Sequence, residues 1–274
     1  PMRLKKLLFL LIPAVFAACS PYNRVLKGSD MDAKMEYAVK LYNKGDYFKA
    51  LPLLEELITV YRGTQKAERT YYYYAYTNYR LGDYTSAAYD FENFSKTFPT
   101  SQFAEECAYM HAYCFYQDSP DFPLDQTNTY KAINELQLFA DRYPSSQRIT
   151  ECNRLIDQLR GKLETKSFEQ ARLYFNMEDY KAAVTAFRNL LNDFPSTSFR
   201  ENALFLIVKS EFLLAENSID EKKSERYSET LGFYGEFTAA YPESKFKKEA
   251  DDIAGTTRRR LDRMNGTLNP SSSN

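Results

Sequence analysis

Gly82-Asp83-Tyr84-Thr85-Ser86-Ala87 decides the fold of this chain, because its pattern returns as Gly45-Asp46-Tyr47-Phe48-Lys49-Ala50 and Glu178-Asp179-Tyr180-Lys181-Ala182-Ala183. Glycine accepts a positive φ, so the Gly-Asp pair can end one helix and turn the chain. From each tyrosine, apolar residues follow at offsets of 3, 7, 10 and 14, which is one face of a helix. In the second copy these are Ala87, Phe91, Phe94 and Phe98; in the first they are Ala50, Leu54, Leu57 and Tyr61. The copy at Tyr180 runs through Ala183, Phe187 and Leu190 to Phe194, and weaker copies start at Thr129 and Tyr227. Four copies then meet a proline (Pro99, Pro144, Pro195, Pro242), with a serine close behind that suits the start of another helix.

Upstream of each anchor lies a first helix with a small residue and an apolar one four later. The pairs are Ala38/Tyr42, Ala75/Tyr79, Ala112/Tyr116, Ala171/Phe175 and Ser210/Leu214. Helix, tight turn, helix, proline resembles the tetratricopeptide repeat, whose unit is about 34 residues. The predicted fold is therefore all-α: a right-handed α-solenoid of five tetratricopeptide-like helix pairs, three plus two joined by a long helix. Repeats three and five are each stretched between their two helices. Because 146–176 reads as helix nearly throughout, the domains are drawn as repeats 1–3 over 31–145 and long helix plus repeats 4–5 over 146–264. The Gly/Asn/Pro/Ser-rich tail 265–274 is expected to be disordered.

The N-terminus reads as an address. Met2 is taken as the start; Arg3, Lys5 and Lys6, an apolar run and Phe16-Ala17-Ala18-Cys19 follow. The apolar run is shorter than the roughly 20 residues that cross a bilayer. Small residues before a cysteine resemble a lipobox, so 1–18 is assigned as a lipoprotein signal peptide. Cys19 is then the lipidation site and 19–30 a lipidated tether. By analogy with lipoproteins of this kind, the absence of acidic residues beside Cys19 favours the outer membrane, facing the periplasm.

Composition narrows the chemistry. A net charge of −1 argues against nucleic acid as a partner. His111 is the single histidine, no glycine-rich phosphate loop or nucleophile elbow is present, and the cysteines lack zinc spacing. Cys107 and Cys114 are too far apart on one helix to bridge, so Cys107, Cys114 and Cys152 read as buried thiols. The chain is read as a non-enzyme with no catalytic residue, metal or cofactor. The aromatic content is more telling: 23 Tyr and 20 Phe without a Trp.

In tetratricopeptide arrays the first helices line a groove. Transferring those positions gives Met35 and Tyr42 in repeat one, Arg69, Tyr72, Tyr76 and Tyr79 in repeat two, and Tyr109, Tyr113 and Tyr116 in repeat three. Such rings are wide, stiff peptide anchors. Tyr72, Tyr76, Tyr109 and Tyr113, with Met35 and Arg69, are the candidate peptide-binding residues; Tyr42, Tyr79 and Tyr116 are equally suited to packing between helices. The basic stretch containing Arg258 and Arg259 reads as the solvated outer face of a capping helix or as a docking patch for an acidic partner or lipid head groups.

A lipobox at Cys19, five repeats and a three-plus-two division resemble the BamD family of lipoproteins of the outer-membrane β-barrel assembly machine, in a form like that of Bacteroidetes. The resemblance implies that the N-terminal repeats receive the C-terminal signal strand of unfolded outer-membrane proteins. It also implies that the C-terminal repeats dock on the barrel insertase, alongside its accessory lipoproteins, with Arg188 in the second helix of repeat four as a candidate contact. A periplasmic repeat scaffold for peptidoglycan enzymes is the alternative. A glycan-binding nutrient lipoprotein fits less well, lacking Trp and a large insertion.

Overall fold

A computed structural model of the protein describes residues 21–268, and Cys19, the leader and 269–274 lie outside them. Among the described residues there are twelve helices and no strand. They are α1 (Pro21–Leu26), α2 (Met31–Asn43), α3 (Tyr47–Val60), α4 (Ala67–Arg80), α5 (Tyr84–Thr97), α6 (Ala104–Gln117), α7 (Thr127–Arg142), α8 (Ile149–Asn176), α9 (Tyr180–Asp193), α10 (Arg200–Glu216), α11 (Asp220–Ala240) and α12 (Lys247–Leu268). The all-helical, tetratricopeptide-like reading is thus met. The helices fall into two compact units, the first containing residues up to Pro120 and Leu124–Leu159, the second containing Asp121–Pro123 and the chain from Arg160 onward.

The second helices form as their spacing demands. Ala50, Ala87, Ala132, Ala183 and Thr230 are all buried, and so are Leu57, Phe94, Phe139, Leu190 and Phe237 two turns later. The turns also follow the chemistry. Gly45 and Gly82 stand at φ 78° and 80°, and Asp83 and Asp179 accept a hydrogen bond from the backbone N–H of Ser86 and Ala182. The third turn forces the same left-handed geometry on Glu178, at φ 63°, where an L side chain is strained.

Part of the stretch assigned as a tether is folded: α1 lays Tyr22, Val25 and Leu26 against the first core. Lys34, 1% exposed, holds it there by donating to the Leu26 carbonyl (3.1 Å) and to Glu56 (2.6 Å). The added residues of repeat three form a non-helical loop, 118–126, where Pro120 and Pro123 each remove a helix donor and crowd the preceding turn. Those of repeat five, rich in Glu, Lys and Arg, instead lengthen α10 and α11 to 17 and 21 residues. Finally, α12 continues through 265–268, where a lone Gly266 costs a helix only about 1 kcal/mol.

The long helix α8 begins at Ile149, after a turn at 146–148, and is unbroken at Gly161 and Ser167. Its first half supplies Cys152, Leu155, Ile156 and Leu159 to the core shared by repeats two and three. Its second half supplies Phe168 and Ala171 to the core of repeat four.

Candidate functional site

The site is built on a turn that recurs: Pro99-Thr100-Ser101-Gln102-Phe103, Pro144-Ser145-Ser146-Gln147-Arg148, Pro195-Ser196-Thr197-Ser198-Phe199 and Pro242-Glu243-Ser244-Lys245-Phe246. In each, the central hydroxyl accepts from the N–H two residues on, at 3.0 to 3.2 Å. Ser101, Ser146 and Ser244 also donate, at 2.6 Å, to Glu68, Glu105 and Glu201 at the start of the preceding first helix. The serine is thus a brace between neighbouring repeats as well as a turn former.

The fifth residue of the turn lands on the ring three residues before the small residue of that first helix. Phe103 meets Tyr72 at 4.6 Å, Phe199 stacks on Phe168 at 4.5 Å, and Phe246 stacks on Phe205 at 4.5 Å. This pairing sets the register of repeat five on Val208, two residues before the Ser210 that the spacing suggests. Ser210 is buried too, with its hydroxyl unpaired, so a small buried residue does not by itself mark the register.

On the face made by α2, α4 and α6, the rings join into a continuous ladder. Tyr42 packs edge-on against Tyr73 (5.2 Å) and Tyr73 against Tyr72 (5.8 Å); Tyr72 meets Tyr76 at 4.7 Å. Tyr76 leads to Tyr79 and Tyr79 to Tyr113, both at 6.4 Å between ring centres. Tyr113 lies stacked between Tyr109 (5.6 Å) and Tyr116 (5.5 Å). These are ordinary distances for attractive ring pairs.

Exposure along this ladder differs from the sequence expectation. Tyr76 and Tyr109 are buried, at 9% and 6%, and Met35 is buried under the hydroxyl of Thr70. Tyr72 and Tyr113 are half-buried, and so are Tyr42, Tyr79 and Tyr116, the rings equally suited to packing. Arg69 is exposed, its guanidinium 5.8 Å from the Tyr73 ring centre. The open part of the ladder is therefore Tyr72, Tyr79, Tyr113 and Tyr116, with Tyr76 and Tyr109 as its floor. Offsets from the small residue placed the rings on one face, but sequence does not say which neighbour covers each.

The hydroxyls are fixed as donors. Tyr72 and Tyr76 both donate to Glu106 Oε1. Burial, then the Glu106 charge, pushes Tyr72 up to about 12; burial, then the bond to Glu106, raises Tyr76 further. Tyr109 is pushed up to about 12 by burial, then by Glu151. At neutral pH these rings keep their protons; the Tyr72 and Tyr76 hydroxyls are spent on Glu106 and that of Tyr116 on Gln158, so the face offers mainly apolar ring surface. The three thiols are free and buried, Cys114 raised to about 12 and Cys152 to about 11 by burial, which removes thiolate chemistry. His111 contacts the Ala88 carbonyl at 2.8 Å and Glu135 at 3.3 Å, ties that pack α6 against its neighbours.

The family of outer membrane lipoproteins described as YfiO matches residues 29–227, well over half of the chain. The chain belongs to that family. It is also similar to the outer membrane protein assembly factor BamD of Caulobacter vibrioides, 25% identical over 120 residues. That match spans 44% of this chain and 38% of the relative's length. The family match begins in the turn before α2 and ends in α11, so it takes in the whole tyrosine ladder.

The remaining sequence candidates lie in the second unit. Arg188 is exposed on α9, 5.8 Å from the Phe233 ring centre, and lines a cavity of about 310 Å³ with Glu211, Arg226 and Glu229. Arg258 lies 5.6 Å from the Tyr234 ring centre, and Arg259 donates to Thr256 at 2.9 Å. Both are on the exposed side of α12. Arg188 thus lies on α9 and Arg258 and Arg259 on α12, and none of them was legible as a contact residue beyond its charge. No helix among the described residues is long and apolar enough to cross a membrane.

Proposed function

We propose that this protein is a non-catalytic scaffold of outer-membrane protein assembly, held to the outer membrane by a lipid on Cys19 and facing the periplasm. The first unit receives the targeting strands of unfolded outer-membrane proteins, and the second docks on the barrel insertase with Arg188, Arg258 and Arg259 as contact candidates. Family membership supports the setting. The observation that carries the mechanism is the tyrosine ladder, unbroken from repeat one to repeat three.

An extended strand presents side chains alternately to its two faces, about 6.5–7 Å apart on one face. The ladder's rings are spaced 4.7 to 6.4 Å apart between centres along Tyr72, Tyr76, Tyr79 and Tyr113, so they touch and form a continuous surface on which aromatic strand residues can lie. Half-buried tyrosines bind through ring area while losing little side-chain entropy, which suits capture followed by release. A strand without a fixed sequence needs such tolerant contacts.

Two measurements test this. Affinity purification of the tagged lipoprotein from gently solubilised envelopes should recover the barrel insertase in stoichiometric amount; cell-wall enzymes without the insertase would refute the assembly role. In the same protein, Tyr113→Ala should weaken an aromatic strand peptide at least fivefold, about 1 kcal/mol, as for an interface anchor. Unchanged affinity would remove the ladder from the mechanism.

A further inference from the structure

The recurrent turn has one exception, and it stands at the end of the ladder. Three turns place a phenylalanine on the ring of the preceding repeat: Phe103, Phe199 and Phe246. The turn 144–148 places Arg148 there instead. Its backbone makes the same bond to Ser146 Oγ (3.1 Å), and its guanidinium lies 4.5 Å from the centre of the Tyr109 ring. A cation therefore occupies a half-buried position where the fold elsewhere uses an apolar ring.

The surrounding acids are committed to other groups. Glu105 accepts from Ser146 (2.6 Å), Glu106 takes the hydroxyls of Tyr72 and Tyr76, and Glu151 holds Arg154 through both oxygens (2.6 and 2.7 Å). Among the described residues the Arg148 guanidinium has no hydrogen bond or ion pair. Packing against Tyr109 orients its plane but satisfies none of its N–H donors. Guanidinium matches a carboxylate through two parallel bonds, and a partly desolvated site strengthens them. From Tyr109 the stacked rings Tyr113 and Tyr116 lead away at successive steps of 5.6 and 5.5 Å.

We infer that Arg148 recognises a carboxylate on the peptide held by the ladder, and so selects strands that carry an aromatic residue close to a carboxylate. This rests on the ladder being a peptide site. The carboxylate comes either from the peptide's C-terminus or from an Asp or Glu side chain; both present the same planar anion.

The experiment uses the full chain and three labelled peptides of about ten residues with alternating aromatics, read by fluorescence anisotropy. One ends in a free carboxylate, one is its C-terminal amide, and one is the amide with an aspartate beside the last aromatic. The wild type should bind the free acid about tenfold more tightly than the plain amide, the scale of one charge-assisted contact. Arg148→Phe should bind acid and amide alike, at the wild-type amide level. Because R148F restores the pairing used by the other turns, it should melt no lower than the wild type. Arg148→Met supplies a second neutral variant, and Arg148→Lys should keep only part of the preference. Full recovery with the aspartate peptide assigns a side-chain source; none assigns the C-terminus. Equal wild-type affinity for acid and amide overturns the carboxylate seat and leaves the ladder standing. So does a preference for the acid that survives in both neutral variants. Failure of all three peptides to bind overturns the ladder reading together with the seat.

Discussion

Three residues before the small residue of the first helix, the first unit carries Tyr72 and Tyr109, and the second carries Phe168 and Phe205. The backbone slot is the same, and each side chain receives the end of the next turn. What differs is the continuation. In the first unit the positions one and four beyond the small residue are also rings, Tyr76/Tyr79 and Tyr113/Tyr116, so the contacts run on into a ladder. In the second they are Arg172/Phe175 and, in the register set by Val208, Lys209/Phe212. Arg172 pairs with Glu169 and Lys209 with Glu249 at 2.7 Å. One repeat frame thus yields a tyrosine binding face in one unit and closed ring stacks beneath charge pairs in the other.

The largest expected effect tests the claim that the second unit's stacks are structural. Phe205 is 3% exposed and stacked on Phe246 with their planes 3° apart. Phe205→Ala should cost about 3–5 kcal/mol in urea unfolding, the usual range for emptying a buried aromatic site. A loss below about 1 kcal/mol would mean that the stack carries little and the contrast with the first unit fails.

The next effect compares two buried acids. Asp90 in the first unit, pushed up to about 6 by burial, has the Asn78 amide donating to it at 2.8 Å. Glu211 in the second, 4% exposed, has an unpaired Oε1, and burial followed by the Glu229 carboxylate raises it to about 7. A carboxyl raised above its unfolded value stabilises the fold while protonated. That contribution is fully present below the ordinary carboxylate range and is lost as pH rises through about 7. Glu211→Gln should therefore gain roughly 1–3 kcal/mol at pH 8 and nothing at pH 4. Equal urea midpoint shifts at both pH values would show that Glu211 does not titrate in this range.

The smallest effect concerns the turns. Gly45 and Gly82 adopt positive φ without strain, whereas Glu178 is held at 63° by the same turn. Glu178→Gly should stabilise the chain by about 0.5–1 kcal/mol, and Gly82→Ala should destabilise it by about 1 kcal/mol, both seen as shifts in melting temperature. A destabilising Glu178→Gly would mean that the carboxylate, and not the backbone, matters at that turn.

Much of this was legible in the residues. Spacing from Tyr47, Tyr84 and Tyr180 specified the second helices, because a helix repeats every 3.6 residues and core faces must be apolar. The Pro-x-Ser/Thr-x-Phe turn was also present in the sequence. Its fifth residue carries no periodic signal, so Phe103, Arg148, Phe199 and Phe246 gain meaning only when their ring partners, more than thirty residues away, are seen. The stretch before Asp30 offered no sign that buried Lys34 would pin its helix to Glu56 and the Leu26 carbonyl.

By itself, then, the sequence determined the helices, their pairing into repeats and the concentration of tyrosine in the first helices of the first unit. These follow from local periodicity and turn chemistry, which act between residues a few positions apart. Tertiary structure alone decided which tyrosines form the floor and which stay open, the register of repeat five and the placing of Arg148 on Tyr109. Burial is a property of what packs over a residue, and those neighbours come from the next repeat.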